Sequence, residues 1–542
     1  MALPEYFPKA LRAEYANPAI RLFGSRFIKD QTILEYLSEL LSVMFSEKWI
    51  TEEEIIETPF PSFHDLKKWS SDARSLRYKP EIKLNLKLLA FLSSSPVSKR
   101  HDIHIEHHAK LVDHLEAGIK SNNIEAEEVR EAIEVFLQGF HGAGHTRTWC
   151  AQTFYPISAS LLTQETIFNE SKAKRKDLQT WDDSIQNFRE FYSNKRDFLA
   201  RGGELLYLQL CNALSMPQED IVSFLEDLGV DFDEEEMDLG QLHSSLQNGL
   251  IKLKGLYTAP LDNLVSYIEK LDAKTYELVN KSNPLVCEWC PRDSWPEGYL
   301  FAVELNRLMS AAIDPVDRLE LMMVGCALQV LRSICAQSVR YQNTSERAGK
   351  GGGLGYAWIM SAPSTSAPRQ QRLASQRNLQ VVQRLIQRAL RNDELEKYVK
   401  KINGSDANKV KKSYKDADDK YGHKLLVSLG KRLGIIIPRT GAHARFIMTD
   451  KVLRYFVLTL LKPGERQTDD EFRKRLYKHY GIAVEGEQLE DALRWSDLSV
   501  SDTVKSAGKP SWLSEMLRAG GFLTELSDSH SIVFNPFDNN QN

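Results

Sequence analysis

Seven of the thirteen histidines, His101, His104, His107, His108, His114, His141 and His145, fall within 45 residues. Imidazole nitrogens are good ligands for zinc and other transition metals, and His104 and His108 stand four apart, which puts them on one face of a helix. The stretch from Phe140 to His145, with Cys150 close behind, supplies further donors. A zinc site on His104, His108, His141 and His145 is therefore one expectation. No carboxylate stands in zincin spacing, because His104-Ile105-Glu106-His107-His108 is not HExxH. Histidines at the surface or in ordinary hydrogen bonds are the competing reading.

Four smaller patterns carry less chemistry. Cys287-Glu288-Trp289-Cys290 is a single CxxC with neither a second pair nor the βαβ surroundings of a redox centre. Lys350-Gly351-Gly352-Gly353 lacks the hydroxyl residue after Lys, the earlier Gly and the preceding strand of a Walker loop, although its amides can form an anion-binding nest. Asp72, Glu81 and Lys83 fit a short D…ExK nuclease pattern, in which carboxylates hold a metal and Lys steadies the attacking water. His64-Asp65 and His101-Asp102 share only letters with the HD phosphohydrolases. No GxSxG elbow, dinucleotide fingerprint or kinase signature occurs.

Charge is the stronger signal. The chain of 542 residues carries a net charge of -4, yet Ser338 to Arg454 holds 24 basic and 9 acidic residues, a net +15, which leaves -19 on the remainder. Between Arg347 and Asp393 there is no acidic residue. On a helical wheel over Gln371 to Leu390, Leu379, Val381, Val382, Leu385, Ile386, Ala389 and Leu390 cover one half, and Arg377, Arg384, Arg388 and Arg391 form a stripe beside them. Rows of planar guanidinium groups suit phosphate oxygens and give sequence-independent affinity through counterion release. Arg372, Lys411, Lys412, Lys431, Arg432, Arg439 and Arg445 extend this track. A solvated basic face, or a surface for an acidic protein, is the alternative.

The elements that must position these groups are mostly helical. Apolar residues recur at three- and four-residue spacing over Thr32 to Trp49, Ile124 to Phe140, Leu205 to Leu214, Leu300 to Ala312 and Pro315 to Tyr341. Strand-like runs are few: Ile82 to Phe91, Thr153 to Ile157, Gly434 to Ile437 and a terminal pair. The sequence predicts a mainly α, multidomain fold with small β additions. A helical body spans 1–230, a second helical domain 231–342, a flexible Gly/Ser/Pro linker 343–370, a basic helical segment 371–449 and a winged-helix-like module 450–542. The linker is read from Gly351, Gly352, Gly353 and Gly355 followed by SAPSTSAP. The acidic run Asp231 to Asp238 reads as a solvated loop. In the last module, helix, Gly520-Gly521 and two alternating strands follow one another as in a winged helix-turn-helix, yet Lys509 and Arg518 face Glu515, Glu525 and Asp528, which is poor phosphate chemistry. Pro4, Glu5 and Pro8 stand where a secretory signal has its apolar core, the runs near Leu88 and Leu321 fall short of the ~20 residues a span needs, and six scattered cysteines make no disulfide framework. A cytoplasmic protein without membrane contact is expected.

With Arg196-Asp197-Phe198-Leu199-Ala200-Arg201-Gly202-Gly203-Glu204-Leu205-Leu206-Tyr207 and the winged terminal segment in view, the chain resembles the large helical accessory proteins of multigene bacterial anti-phage systems, such as Druantia and phosphorothioation-dependent restriction. The resemblance implies a cytoplasmic partner of a helicase, nuclease or ATPase that helps hold invading DNA. The sequence thus leads to a non-catalytic component that binds nucleic acid, DNA above RNA. Its rivals are a metal-dependent hydrolase or nuclease on the histidines and a pure protein scaffold.

Overall fold

The apolar run from Pro315 becomes the longest helix, and the other elements assemble around it. The structure is a computed structural model that describes residues 3–4, 7, 13–25, 27–51, 54–68, 76–81, 83, 85–86, 109, 112–113, 116–120, 123–143, 153–162, 202–230, 232–254, 259–271, 284–342, 349–363, 368–500, 511–527 and 530–538. The helices that carry the argument are α1 (Ile33–Phe45), α2 (Gly202–Leu214), α3 (Trp295–Ser310), α4 (Pro315–Tyr341) and α5 (Arg369–Ala389). They are followed by α6 (Ala407–Asp416), α7 (His423–Leu433), α8 (Asp450–Leu460), α9 (Asp469–Tyr480) and α10 (Trp512–Ala519). Local chemistry explains their ends. Thr32 and Glu35 form a reciprocal capping box at α1, Thr468 and Glu471 do the same at α9, and Asp314 caps α4 ahead of Pro315 in its first turn.

The strands are short. β1 (Glu47–Trp49) and β2 (Arg77–Lys79) pair antiparallel, as do β3 (His141–Ala143) and β4 (Thr153–Phe154), and β5 (Leu285–Val286) adds to the other edge of β2. β6 (Trp358–Ile359) lies beneath α5; β7 (Ile436–Ile437) and β8 (Arg445–Phe446) form a hairpin beside it. β9 (Arg466–Thr468) precedes α9, and β10 (Ile482–Ala483) follows α9 to pair in parallel with β6. β11 (Leu523–Ser527) and β12 (His530–Phe534) complete a sheet in the order β11-β12-β9.

One continuous cluster of buried side chains runs from Ala19 to Val533 and crosses the expected boundaries at 230, 342 and 449. α3 packs on α2, α4 and α8, while α4 packs on α1, α5 and α7. Against expectation, the run around Leu321 does form a helix long and apolar enough to cross a bilayer; 89% of its apolar window is buried within the protein.

A polar seam threads this apolar core. Glu297 and Glu304, seven apart, share one face of α3 and meet Arg340 and Arg332 of α4 at 2.5 Å each. Glu304 also accepts hydrogen bonds from Tyr455 of α8 at 2.7 Å and from the His479 imidazole of α9 at 2.6 Å. Gln329 accepts from Arg332 and donates to Gln209 of α2 at 2.8 Å. Burial alone pushes the Glu304 carboxyl up, but Arg332 and His479 outweigh it and hold it at about 2. His479 sits below the usual imidazole range because burial disfavours its cation more than Glu304 supports it.

Three expectations are corrected. The supposed linker contains an interior stretch: of its described residues, 349–363 and 368–370, Tyr356, Ala357, Trp358, Ile359 and Met360 are all buried, while 368–370 are exposed. Its glycines serve close approach, since a Cβ on Gly352 meets the Tyr477 carbonyl oxygen at 2.4 Å and one on Gly353 meets the Lys478 carbonyl oxygen at 2.6 Å. The acidic run is corrected in part: Asp233, Glu234, Glu235 and Asp238 are exposed as expected, but Glu234–Met237 is a short helix. Glu236 is buried and takes Arg307 bidentately at 2.7 Å, and Asp238 caps the helix Leu239–Lys254 through the Gln241 amide at 2.9 Å. Within the supposed strand Ile82 to Phe91, Asn85 and Leu86 lie in a helical turn, and most of the rest lies outside the described residues.

Gly353→Ala destabilises by about 1–3 kcal/mol in urea unfolding through overpacking; a flexible linker would instead gain about 0.4–1 kcal/mol. Glu304→Gln leaves Arg332 buried without its counter-charge and costs about 3–5 kcal/mol. The pH dependence has a definite sign. His479, with its folded pKa depressed, contributes stability that is full above the ordinary imidazole value of about 6.5 and is lost as pH falls through it. The Glu304 contribution persists lower and disappears as pH falls from the ordinary carboxylate range toward about 2. A melting-temperature series should therefore drop between pH 7 and pH 5, and His479→Gln should flatten that step.

Candidate nucleic-acid interface

Twenty-one residues of α5 give a rod of about 31 Å at about 1.5 Å per residue. The apolar half predicted from the wheel is buried: Leu379, Val381, Val382, Leu385, Ile386, Ala389 and Leu390 all join the core. Three polar side chains on the same face fix its rotation. The Asn378 side chain accepts from the Ile359 amide at 2.9 Å and donates to the Ala357 carbonyl at 3.0 Å and the Ser496 hydroxyl at 2.9 Å. Gln371 donates to the carbonyls of Met360 and Val484, and Ser375 to that of Phe446.

With its phase so fixed, α5 presents Arg377, Arg384, Arg388 and Arg391 to solvent. Among the described residues, no carboxylate comes within ion-pair distance of Arg377, Arg384 or Arg388; Arg384 only reaches back along the helix to the Gln380 carbonyl at 3.3 Å. Arg391 departs from the predicted stripe. Its guanidinium is paired with Asp418 at 2.5 Å and lies over the Tyr414 ring, so it joins the π-helical turn Ala417–Tyr421 to α5. Burial pushes the Asp418 carboxyl up, but the hydrogen bond from His423, followed by the hydrogen bond and charge of Arg391, holds it down at about 2.

The outlying members of the track divide. Lys411 and Lys412 on α6 and Arg439 in the loop 438–444 are exposed, and Lys431 on α7 is half-buried. Arg432 is corrected in part: its Nη1 donates to the backbone carbonyls of Lys29 and Gln31 at 2.9 and 2.8 Å, a clamp onto the N-terminal region. Arg372 and Arg445 lie inward of the stripe, half-buried, where β8 packs on α5. The sequence alone passed over His443 and Gln376, whose side chains meet at 3.1 Å on the same ledge; only the spacing of the short hairpin carried any sign of it.

Other candidates fare differently. His104, His108 and His145 lie outside the described residues, as does the side chain of His141, whose backbone forms β3. Among the described residues, no group of three or more His, Cys, Asp or Glu is gathered for a metal ion. Cys287 and Cys290 are buried; burial pushes the Cys290 thiol far up, and it contacts Ser294. Between them, Glu288 accepts from the Tyr15 hydroxyl at 2.6 Å and Trp289 stacks edge-on with Phe7, so the CxxC segment is a packing element. The Gly-rich nest is already filled, because the amides of Lys350 and Gly351 donate to the Asp491 carboxylate at 3.1 and 2.9 Å. Glu81 and Lys83 form an ion pair of 2.6 Å at the edge of a cavity of about 540 Å³, and Asp72 lies outside the described residues. Arg518 of α10 is paired with Glu525 of β11, which removes the basic group from that helix.

Comparison with protein families, curated proteins and solved structures finds no match for this chain.

Proposed function

We propose that this chain is a non-catalytic nucleic-acid-binding component, with DNA as the favoured ligand, and that α5 is its docking face. The observation that carries this reading is the set of Arg377, Arg384 and Arg388: solvent-facing, on a helix whose rotation is fixed, and without a carboxylate partner among the described residues. Acidic residues outnumber basic ones in the rest of the chain, yet the buried carboxylates Glu236, Glu304 and Glu297 pair with Arg307, Arg332 and Arg340 and not with the stripe. The stripe is left to an external polyanion.

We read the terminal unit as a winged helix. α8, β9, α9, α10 and the β11-β12 hairpin occur in that chain order with β9 against β12, which supports a winged helix-turn-helix carrying β10 and the helix Gly486–Trp495 as an insertion between α9 and α10. With Arg518 committed to Glu525, this unit serves protein docking, and phosphate contact belongs to α5. Membership of a cytoplasmic anti-phage complex with a helicase, nuclease or ATPase partner rests on the resemblance described above.

The test is a salt series. Neutralising Arg377, Arg384 and Arg388 together to Gln should lower the slope of log K against log salt by about 2.7 on duplex DNA and weaken unrelated sequences alike. A salt-independent Kd, or a triple variant that binds like the wild type, contradicts the reading.

A further inference from the structure

Among the described residues, Arg307, Arg332 and Arg340 are matched with carboxylates, and Arg21 is covered by the rings of Phe7, Trp289 and Tyr398. Arg372 and Arg445 have no such carboxylate. Arg372 stands in the first turn of α5, and its Nε is shielded from solvent without any hydrogen-bond partner. Arg445 begins β8, and its Nε donates to the Ser361 hydroxyl at 3.1 Å, which fixes the plane of the guanidinium. The Arg445 guanidinium is held below its ordinary value by burial first and by the positive charge of Arg372 second. No carboxylate among the described residues lies within ion-pair distance of either.

Two like charges on packed elements, α5 and β8, both partly desolvated, raise the free energy of the empty protein, and an anion that meets both reverses the sign of that interaction. The surroundings select which anion. Arg377 follows on the exposed side of α5, and the loop 438–444 carries exposed Arg439 and His443, the latter held by Gln376. At the tip of that loop, a Cβ built on Gly441 meets nothing within 4 Å, so there is open space beside that residue. Planar, forked donors match phosphate oxygens bidentately.

We propose that Arg372 and Arg445 form a seat for one backbone phosphate of the bound nucleic acid, with the loop 438–444 flanking the strand on that side. This seat rests on the polyanion reading of α5 and places the strand's anchor at the N-terminal end of the helix.

The experiment uses the full chain and two readouts. In thermal unfolding, millimolar inorganic phosphate should raise the melting temperature of the wild type by several degrees beyond chloride at equal ionic strength, and Arg372→Gln and Arg445→Gln should each lose that increment. In chloride alone, Arg372→Gln should melt at or above the wild type, because it removes a repulsion; if Arg445→Gln does not fold, Arg372→Gln carries the test. In anisotropy with a labelled oligonucleotide, each variant should weaken binding about tenfold and lower the salt slope by about 0.9. Phosphate no more stabilising than chloride overturns the seat. So does wild-type oligonucleotide affinity in both variants, and if the Arg377/Arg384/Arg388 triple variant loses binding at the same time, the α5 reading stands without the seat. Phosphate-specific stabilisation in a chain that binds no oligonucleotide overturns the assignment of the phosphate to nucleic acid.

Discussion

The contact of Glu304 with Arg332 governs this architecture, because both groups are almost wholly removed from water, at 0% and 1% side-chain exposure. An ion pair taken out of water gains little over a well-packed apolar pair, and either member alone is strongly destabilising. Its effect here is to fix the arrangement of the elements that meet at it. Glu304 is satisfied only when α3, α4, α8 and α9 bring Arg332, Tyr455 and His479 to it together. Arg307 extends the same logic: its guanidinium takes Glu236 on one side and the carbonyls of Thr459 and Leu460 at the end of α8 on the other. The terminal unit is thereby joined to the central helices through polar groups that have no substitute in solvent.

That joining reaches the functional face. α4 supplies a floor for α5, and β6 and β8 supply the walls to which Asn378, Gln371 and Ser375 bind. The direction in which the arginines leave the helix is then a consequence of the core, so a ligand must order the exposed side chains, at about 0.5–1.5 kcal/mol each, and not the backbone. The same economy of charge explains why a net-acidic chain presents a cationic surface. Buried Glu236, Glu297 and Glu304 are placed against particular arginines, and no acid stands between Arg347 and Asp393.

What the sequence disclosed follows interaction range. Pro315 to Tyr341 was legible to the residue, since Pro315 and Asp314 mark its start and its apolar spacing is local. The α5 wheel was legible for the same reason, and the apolar half of it is buried as read. Long-range pairing was not. Asp418, 27 residues from Arg391, withdraws that arginine from the stripe, and Lys29 and Gln31, about 400 residues away, engage Arg432. Glycines at 351–353 look alike whether they confer freedom or permit two backbones to touch, and only the neighbour, the end of α9, decides. The acidic run was misread because a carboxylate such as Glu236 is solvated or buried according to a guanidinium 71 residues on.

Native-state hydrogen exchange in rising denaturant tests most directly whether the arginine face belongs to the charged core. The account predicts that amides of α4 and α5 converge on one opening isotherm with the largest free energy in the protein. Amides of α5 that open independently at low denaturant, while α4 stays closed, would contradict it and would return residues 343–370 to the role of a hinge.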